Sequence, residues 1–201
     1  MFLSDPRFPV ALAALDAANR ADPRLTPEGQ PMEIDHADRL TAWVLRLKPD
    51  ASDLLRIAAR GQHIERWTSP RTAYPEGRAG YLRWREDLKA FHARRTGEAM
   101  ERAGYGPEEI SRVAALITKA AHRAGDPEGV VLEDALCLVF LETLFPNLLV
   151  KTTEEKMGEI LGKTWKKMSP AGRAAAQSLP FPPAAQKALA PVLLGNSGVK
   201  W

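Results

Sequence analysis

The fold of this chain is decided by one run of sequence, Leu132-Glu133-Asp134-Ala135-Leu136-Cys137-Leu138-Val139-Phe140-Leu141. Its apolar residues cover almost the whole circumference of a helix, which is typical of a helix in the middle of a domain. Two adjacent carboxylates interrupt the run, and helical spacing places Asp134 on the same face as Leu138 and Leu141. A buried carboxylate therefore needs a cation, hydrogen-bond donors or a raised pKa, because burying an unpaired charge is costly.

The acidic pair allows two interpretations. In the first, Glu133 and Asp134 lie in the first turn of the helix, where water solvates them and the helix dipole favours negative charge. In the second, they meet histidines of the preceding helices around a metal ion. Both interpretations remain open at the level of the sequence.

The composition indicates a soluble globular protein. The chain has 201 residues, of which 45% are hydrophobic and 26% charged, with a formal net charge of +3. This balance excludes a disordered chain. A single cysteine, Cys137, excludes a disulfide framework or a thiolate metal site within one chain. The N-terminus resembles no targeting signal, and no apolar run reaches the roughly 18 residues that span a membrane. We therefore expect a cytoplasmic protein without a membrane partner.

Helical periodicity and capping residues predict helices along the whole chain. They cover 9–19, 33–48, 51–66, 81–103, 107–122, the central run up to Pro146, 153–168, and a last helix that begins at Ser169-Pro170. No run alternates apolar and polar residues over the length of a strand. The prediction is an all-α, single-domain helical bundle over 1–179. A Pro- and Ala-rich tail over 180–201 is expected to be weakly ordered or to form a short packed helix.

Three of the four histidines fall on or beside apolar faces of different predicted helices. They are His36, His63 and His92. Neutral imidazole is the commonest ligand of transition metals, and helical bundles build metal sites from inward-facing side chains. Each histidine alone also fits a hydrogen-bonded core residue. The fourth, His122, shares its side of a helix with small polar residues and is predicted to lie at the surface.

A basic and aromatic segment runs from Arg66 to Arg95, with eight Arg or Lys residues against three acidic ones. Arginine can bind phosphate through two hydrogen bonds, and interleaved aromatic rings can stack on bases. The segment therefore fits a nucleotide or single-stranded nucleic acid. Its candidate phosphate-binding residues are Arg66, Trp67, Arg71, Arg78, Arg83 and Trp84. The alternative is that these arginines form the solvated face of a helix.

The order His36-x-x-Arg39, His63, His92 and then Asp134 on an apolar helix resembles the HD superfamily. Its members are all-α, metal-dependent phosphohydrolases with His, His-Asp and Asp ligands in that order. The resemblance implies an HD-like helical core over roughly residues 33–140. It also implies that His36, His63 and Asp134 bind a divalent metal, which could be Mn, Fe, Zn, Ni or Mg.

Further residues follow from the same resemblance. His92 would match the extra histidine of binuclear members, with His122 and Glu133 as weaker candidates, and Arg39 would contact the phosphate. One position departs from the family pattern, because Ile64 follows His63 where the family has Asp. A site without that carboxylate loses one ligand, which puts hydrolysis in doubt.

Longer strings are similar to an uncharacterised family, domain-of-unknown-function family 4202. They are Gln62-His63-Ile64-Glu65-Arg66-Trp67, Gly77-Arg78-Ala79-Gly80-Tyr81-Leu82-Arg83-Trp84-Arg85, Leu132-Glu133-Asp134 and Lys163-Thr164-Trp165-Lys166-Lys167-Met168-Ser169. This similarity extends over nearly the whole chain. It implies a shared fold and brings no activity with it.

The sequence thus leads to three predicted functions. The first is binding of a phosphorylated small molecule or nucleotide at a His–Asp metal site, with hydrolysis if the metal activates a water. The second is a non-catalytic module of the same fold that binds nucleotide or RNA through the basic segment 66–95. The third is a helical interaction protein whose histidines belong to the core.

Overall fold

The computed structural model describes residues 5–145, 148, 152–181 and 186. Within this part of the chain the secondary structure consists of helices and one isolated antiparallel bridge, Leu25 to Pro31, with no strand. The predicted all-α class is confirmed. None of the helices in these ranges is both long enough and apolar enough to cross a membrane.

Nine α-helices follow one another along the described chain. They are α1 (Arg7–Arg20), α2 (Met32–Leu47), α3 (Asp53–Gly61), α4 (Gly77–Arg102), α5 (Pro107–Ile117), α6 (Ala120–Arg123), α7 (Pro127–Val139), α8 (Glu154–Lys167) and α9 (Pro170–Gln177). Two 3₁₀ turns, Arg66–Thr68 and Arg71–Ala73, lie between α3 and α4. A π-helical turn, Phe140–Leu144, continues α7.

The chain divides into two compact units. The described residues up to Leu132 form unit 1, and those from Glu133 onward form unit 2. The predicted domain extent of 1–179 stays a prediction. Most of the predicted tail, 180–201, lies outside the described residues.

Helix α3 is the centre of unit 1, since it packs against α1, α2, α4 and α5. Its start is fixed locally, because the Ser52 side chain caps it by accepting a hydrogen bond from the backbone N–H of Leu55. The core around it consists of fully buried aliphatic side chains, among them Leu15, Leu40, Leu55, Ile57, Met100, Leu116 and Ile117. This apolar core holds the ends of α2, α3 and α4 in fixed positions.

The segment after α3 differs from its prediction. A single helix was expected over 51–66, but α3 ends at Gly61 and the chain turns through residues 62–65. Glu65 adopts the left-handed conformation with φ 51°, which no α-helix accommodates. Its carboxylate accepts two hydrogen bonds from the guanidinium of Arg95 on α4, which stabilises the turn. His63 therefore lies in a turn.

The predicted helix over 107–122 is also divided. Helix α5 ends at Ile117, Lys119 has φ 65°, and the short helix α6 follows. The contact of Gly129 on α7 with the backbone of His122 explains why the chain bends here. A Cβ on Gly129 would lie 2.5 Å from the backbone nitrogen of His122, so the two segments pack backbone to backbone.

Unit 2 contains most of α7 together with α8 and α9. A side chain caps each of the last two helices, because Thr153 accepts a hydrogen bond from the N–H of Lys156 and Ser169 accepts one from that of Gly172. Asp134 on α7 in turn accepts hydrogen bonds from the backbone nitrogen of Ser169 at 2.8 Å and from its hydroxyl at 2.5 Å. These donors satisfy a carboxylate that is only 2% exposed.

Candidate functional site

The three histidines predicted to face inward lie together in unit 1. The rings of His36 on α2 and His63 in the turn after α3 stack, with centroids 3.9 Å apart and an interplanar angle of 8°. The ring of His92, in the middle of α4, lies with its centroid 5.8 Å from that of His63. Three elements that are distant in sequence thus build one histidine cluster, defined here as His36, His63 and His92.

His92 is the most constrained member of the histidine cluster. Its Nδ1 lies 2.9 Å from the carbonyl oxygen of Ile64, and since a carbonyl only accepts, Nδ1 carries the proton. Its Nε2 is buried and has no hydrogen-bond partner, and the same holds for Nε2 of His36. A buried polar atom without a partner costs about 1–3 kcal/mol, so each of these nitrogens is available to accept a hydrogen bond from a bound group.

A buried carboxylate borders the histidine cluster. Glu33, one turn before His36 on α2, is 4% exposed, and its Oε2 lies 3.6 Å from Nδ1 of His63. Its Oε1 accepts a hydrogen bond of 2.5 Å from Arg24, which also pairs with Asp22. Burial raises the pKa of Glu33, although the positive charges of Arg24 and Arg66 act to lower it. Sequence reasoning missed Glu33, although its three-residue spacing from His36 places both on one helix face.

Burial also sets the charge of the imidazoles. It lowers the pKa of His36 and His63 well below the usual value of 6.5, and nearby cations, above all Arg66 for His63, act in the same direction. Burial lowers the pKa of His92 to about 4. All three rings are therefore neutral at pH 7, when their unprotonated nitrogens are available as acceptors.

These shifts predict that unit 1 loses stability as the pH falls from 7 to 5. The unfolded chain binds protons on these histidines near pH 6.5, whereas the folded chain takes them up only at much lower pH, so protonation favours unfolding. For His92 alone the loss amounts to about 1.4 kcal/mol per pH unit between its two pKa values. Urea unfolding at pH 7, 6 and 5 measures this dependence.

The matched variant for this prediction is His92→Phe, which keeps an aromatic ring and removes the titrating group. Its unfolding free energy should fall less steeply with decreasing pH than that of the wild type. Glu33, whose raised pKa acts in the opposite sense, is present in both proteins and cancels in the comparison. Equal slopes for the two proteins would contradict the account of His92.

The guanidinium of Arg66 lies next to the histidine cluster. Its Cζ lies 4.8 Å from the centre of the Trp84 ring, a cation–π contact. Burial lowers the pKa of Arg66, and the positive charges of Arg85 and Arg24 act in the same direction, whereas Glu33 opposes them. Within the ranges that the structure describes, no carboxylate lies within ion-pair distance of Arg66. Among the described residues, the site thus contains a partly desolvated cation that forms no ion pair with a carboxylate.

Most other arginines of unit 1, unlike Arg66, form an ion pair with a carboxylate. Those that form ion pairs with Asp or Glu are Arg7, Arg20, Arg24, Arg39, Arg56, Arg60, Arg83, Arg94, Arg95 and Arg112. Arg85 resembles Arg66, since its guanidinium donates a hydrogen bond to the uncharged hydroxyl of Tyr81. The pairing pattern therefore separates arginines that stabilise the fold from those available to an anion.

Backbone strain occurs beside the same cluster. In the described chain, the non-glycine residues with positive φ are Glu65 and Lys119. Glu65 lies between His63 and Arg66, and the charge of Lys119 is close enough to lower the pKa of His63. Strained non-glycine residues cost about 1–3 kcal/mol each and concentrate at functional sites. Their position supports the assignment of the site.

The other predicted phosphate-binding residues have varied surroundings. Arg71 donates hydrogen bonds to the carbonyl oxygens of Tyr74, Pro75 and Gly77, so it closes the loop before α4. The indole nitrogen of Trp84 donates to the carbonyl of Ser69, which fixes the other end of that loop.

The remaining four predicted phosphate contacts lie on the surface or only partly below it. Trp67 is half-buried in the first 3₁₀ turn. Arg78 and Arg83 are exposed on α4. Arg39 pairs with Asp35 one turn earlier on α2.

The other predicted metal ligands are Glu133, Asp134 and His122. Glu133 and Asp134 belong to unit 2, where Asp134 accepts from Ser169 and Glu133 lies 4.0 Å from Lys167. His122 lies on α6, half-buried, with an unpaired buried Nδ1. In the described part of the chain, no group of three His, Cys, Asp or Glu side chains is arranged to hold a metal ion.

The stacked rings explain this geometry. A metal binds an imidazole in the plane of the ring, about 2.0–2.1 Å from the nitrogen. The planes of His36 and His63 are nearly parallel and 3.9 Å apart at their centroids, so their nitrogen lone pairs do not converge on one point. As arranged here, the two side chains do not fit a shared metal ion, and the divalent metal stays a prediction from the sequence.

The chain belongs to a family described as Domain of unknown function (DUF4202), which matches residues 9–189. The similarity to this family noted in the sequence is therefore confirmed. No curated protein and no solved structure matches the chain. The similarity to the HD superfamily stays a prediction.

Proposed function

We propose that this member of DUF4202 binds a phosphorylated small molecule or a nucleotide in unit 1, at the histidine cluster and Arg66. The phosphate is held by Arg66 and Arg85, and the remainder of the ligand lies against the imidazoles and Trp84. This proposal concerns binding. A metal, where present, would supply an activated water for hydrolysis, but the stacked histidines give no support for that step.

The observation that carries the proposal is the unpaired, partly buried guanidinium of Arg66. A cation in such a position is costly unless an anion neutralises it, and a phosphate offers both the charge and the acceptor oxygens. Arg85 adds positive charge, since it lowers the pKa of both His63 and Arg66. The neutral histidines add no charge of their own to the site.

Arg66→Ala should weaken phosphate binding by about 10- to 100-fold, which is the effect of losing one or two charge-assisted hydrogen bonds of about 1.5–3 kcal/mol in total. The measurement is isothermal titration calorimetry of the purified chain against nucleoside monophosphates, diphosphates and sugar phosphates. Higher salt should weaken the binding, since exposed charges are screened over about 8–10 Å at physiological ionic strength.

The matched control is Arg94→Ala on the same helix as Trp84, since Arg94 is exposed and paired with Glu98. Its affinity should equal that of the wild type. An equal loss of affinity in both variants would mean that general surface charge, and not the position of Arg66, determines binding. That result would contradict the proposal. Parallel titrations with a chelator, beside a phosphate-release assay, test the predicted metal: chelator-sensitive turnover would establish hydrolysis.

A second candidate function is RNA binding along α4. Arg78, Tyr81 and Arg83 are exposed on its first turns, which offers cations and a stacking ring outside the histidine cluster. Short single-stranded RNAs included in the titration distinguish the two. RNA binding that Arg78→Ala and Arg83→Ala weaken, and Arg66→Ala leaves unchanged, would favour this second function.

A further inference from the structure

The unpaired nitrogens of the histidine cluster define what a ligand must offer besides phosphate. His92 is 2% exposed, its Nδ1 donates to Ile64, and its Nε2 is consequently a buried acceptor without a donor. A phosphate dianion offers only acceptor oxygens and cannot satisfy this atom. The ligand therefore needs a hydrogen-bond donor of its own.

The nitrogen belongs to the same site as Arg66. The ring of His92 neighbours that of His63, which stacks on His36 and lies 3.6 Å from Glu33. The side chain of His63 is 28% exposed, so the cluster meets solvent at this ring. The positive charges of Arg66 and Arg85 act on His63 and hence on any group that enters there.

The same charges distinguish between possible donors. A hydroxyl group is uncharged and can donate to Nε2 without electrostatic cost. An ammonium group would be repelled by Arg66 and Arg85 at the entrance of the site, and the neighbouring carboxylate of Glu33 is already paired with Arg24. The chemistry thus favours a hydroxyl over an amine.

We propose that the ligand is a hydroxylated organic phosphate, of the sugar-phosphate or ribonucleotide class, whose hydroxyl group donates a hydrogen bond to Nε2 of His92. This inference rests on the proposed function, because the phosphate must first bind at Arg66. A site built to pair a ligand hydroxyl discriminates strongly against an analogue without it, since the protein atom is then left buried and unpaired.

The test compares glycerol 3-phosphate and ribose 5-phosphate with propyl phosphate, which has a similar chain and charge but no hydroxyl. Calorimetry on the wild-type chain should give at least 10-fold tighter binding of the hydroxylated phosphates. His92→Phe removes the acceptor and should abolish the advantage of the hydroxylated phosphates over propyl phosphate. Equal affinities in the wild type, or an advantage that survives in His92→Phe, would overturn the inference.

A second measurement uses the wild-type protein and does not depend on how well the variant folds. In protein labelled with ¹⁵N-histidine, the Nε2 resonance of His92 should shift on titration with glycerol 3-phosphate and not with propyl phosphate. An unshifted resonance at saturation would overturn the inference, as would tighter binding of phosphoethanolamine than of glycerol 3-phosphate.

The phosphate contact at Arg66 and the hydroxyl contact at His92 are tested separately. If propyl phosphate binds to the wild type and Arg66→Ala removes this binding, the phosphate site is supported. This conclusion does not depend on the comparison between phosphates with and without a hydroxyl group. If no phosphate binds at all, both the proposed function and the hydroxyl assignment are wrong.

Discussion

Gly61→Val should destabilise the protein by about 3 kcal/mol, within the upper range of costs for overpacked cores. A Cβ at Gly61 would lie 2.1 Å from Oγ1 and 2.8 Å from Cγ2 of Thr96, where helices α3 and α4 meet. Thr96 is completely buried, and a β-branched side chain has few alternative rotamers, so it cannot move aside. Urea unfolding followed by circular dichroism measures the loss.

A double-mutant cycle identifies the cause. Thr96→Ala removes both of the nearest atoms, so Gly61→Ala should cost much less in the Thr96→Ala background than in the wild type. The control is Gly158→Ala on α8, where a Cβ meets nothing within 4 Å and the alanine should be neutral or stabilising. Additive effects at Gly61 and Thr96 would show that the close approach of α3 and α4 is not what limits residue 61.

Arg60→Leu should destabilise the protein by about 2 kcal/mol, less than the roughly 3–5 kcal/mol of a fully buried pair, because the side chains of Asp16 and Asp38 that it leaves behind are 20% and 50% exposed. The guanidinium of Arg60 on α3 lies 2.6 Å from Asp16 of α1 and 2.5 Å from Asp38 of α2. Its side chain is only 10% exposed. The substitution leaves two carboxylates without their cation at the junction of three helices, and thermal and urea unfolding both report the loss.

Arg83→Leu is the control, because its guanidinium is 77% exposed and lies 3.8 Å from Asp87 on the same helix. Exposed pairs of this kind contribute about 0–1 kcal/mol, so the variant should unfold almost like the wild type. Equal losses of unfolding free energy in Arg60→Leu and Arg83→Leu would mean that the ion pairs of Arg60 across α1, α2 and α3 stabilise the protein no more than an exposed pair does.

Local signals made much of the helical framework predictable. The caps at Ser52, Thr153 and Ser169 each act on a backbone N–H three residues later, so their effect is contained in a short stretch of sequence. The apolar faces that carry His36 and His92 follow from helical spacing in the same way. The sequence placed His36, His63 and His92 on or beside apolar faces, and the structure places their rings together.

Other features depend on partners that are distant in sequence. Asp134 receives its hydrogen bonds from Ser169, which lies 35 residues later in the chain. The turn at Glu65 is stabilised by Arg95, 30 residues away, and ends α3 before His63. No local pattern identifies such partners, and this is why the helix over 51–66 was predicted too long.

The arginines show the same division. From the sequence, Arg66, Arg71, Arg78 and Arg83 were equivalent members of one basic segment. The structure separates them, because Arg71 binds three loop carbonyls, Arg78 and Arg83 are exposed, and Arg66 lies unpaired beside Trp84 and the histidine cluster. Only tertiary contacts decide which cation is left for an anion.

The most direct test of the proposed phosphate site is a crystal structure of the chain grown with tungstate, an oxyanion of phosphate-like shape that scatters anomalously. The account predicts an anomalous peak with its oxygens within hydrogen-bond distance of Arg66, next to the ring of His63, and no peak there in Arg66→Ala crystals. A tungstate bound only at other arginines, with the Arg66 guanidinium still unpaired, would contradict it.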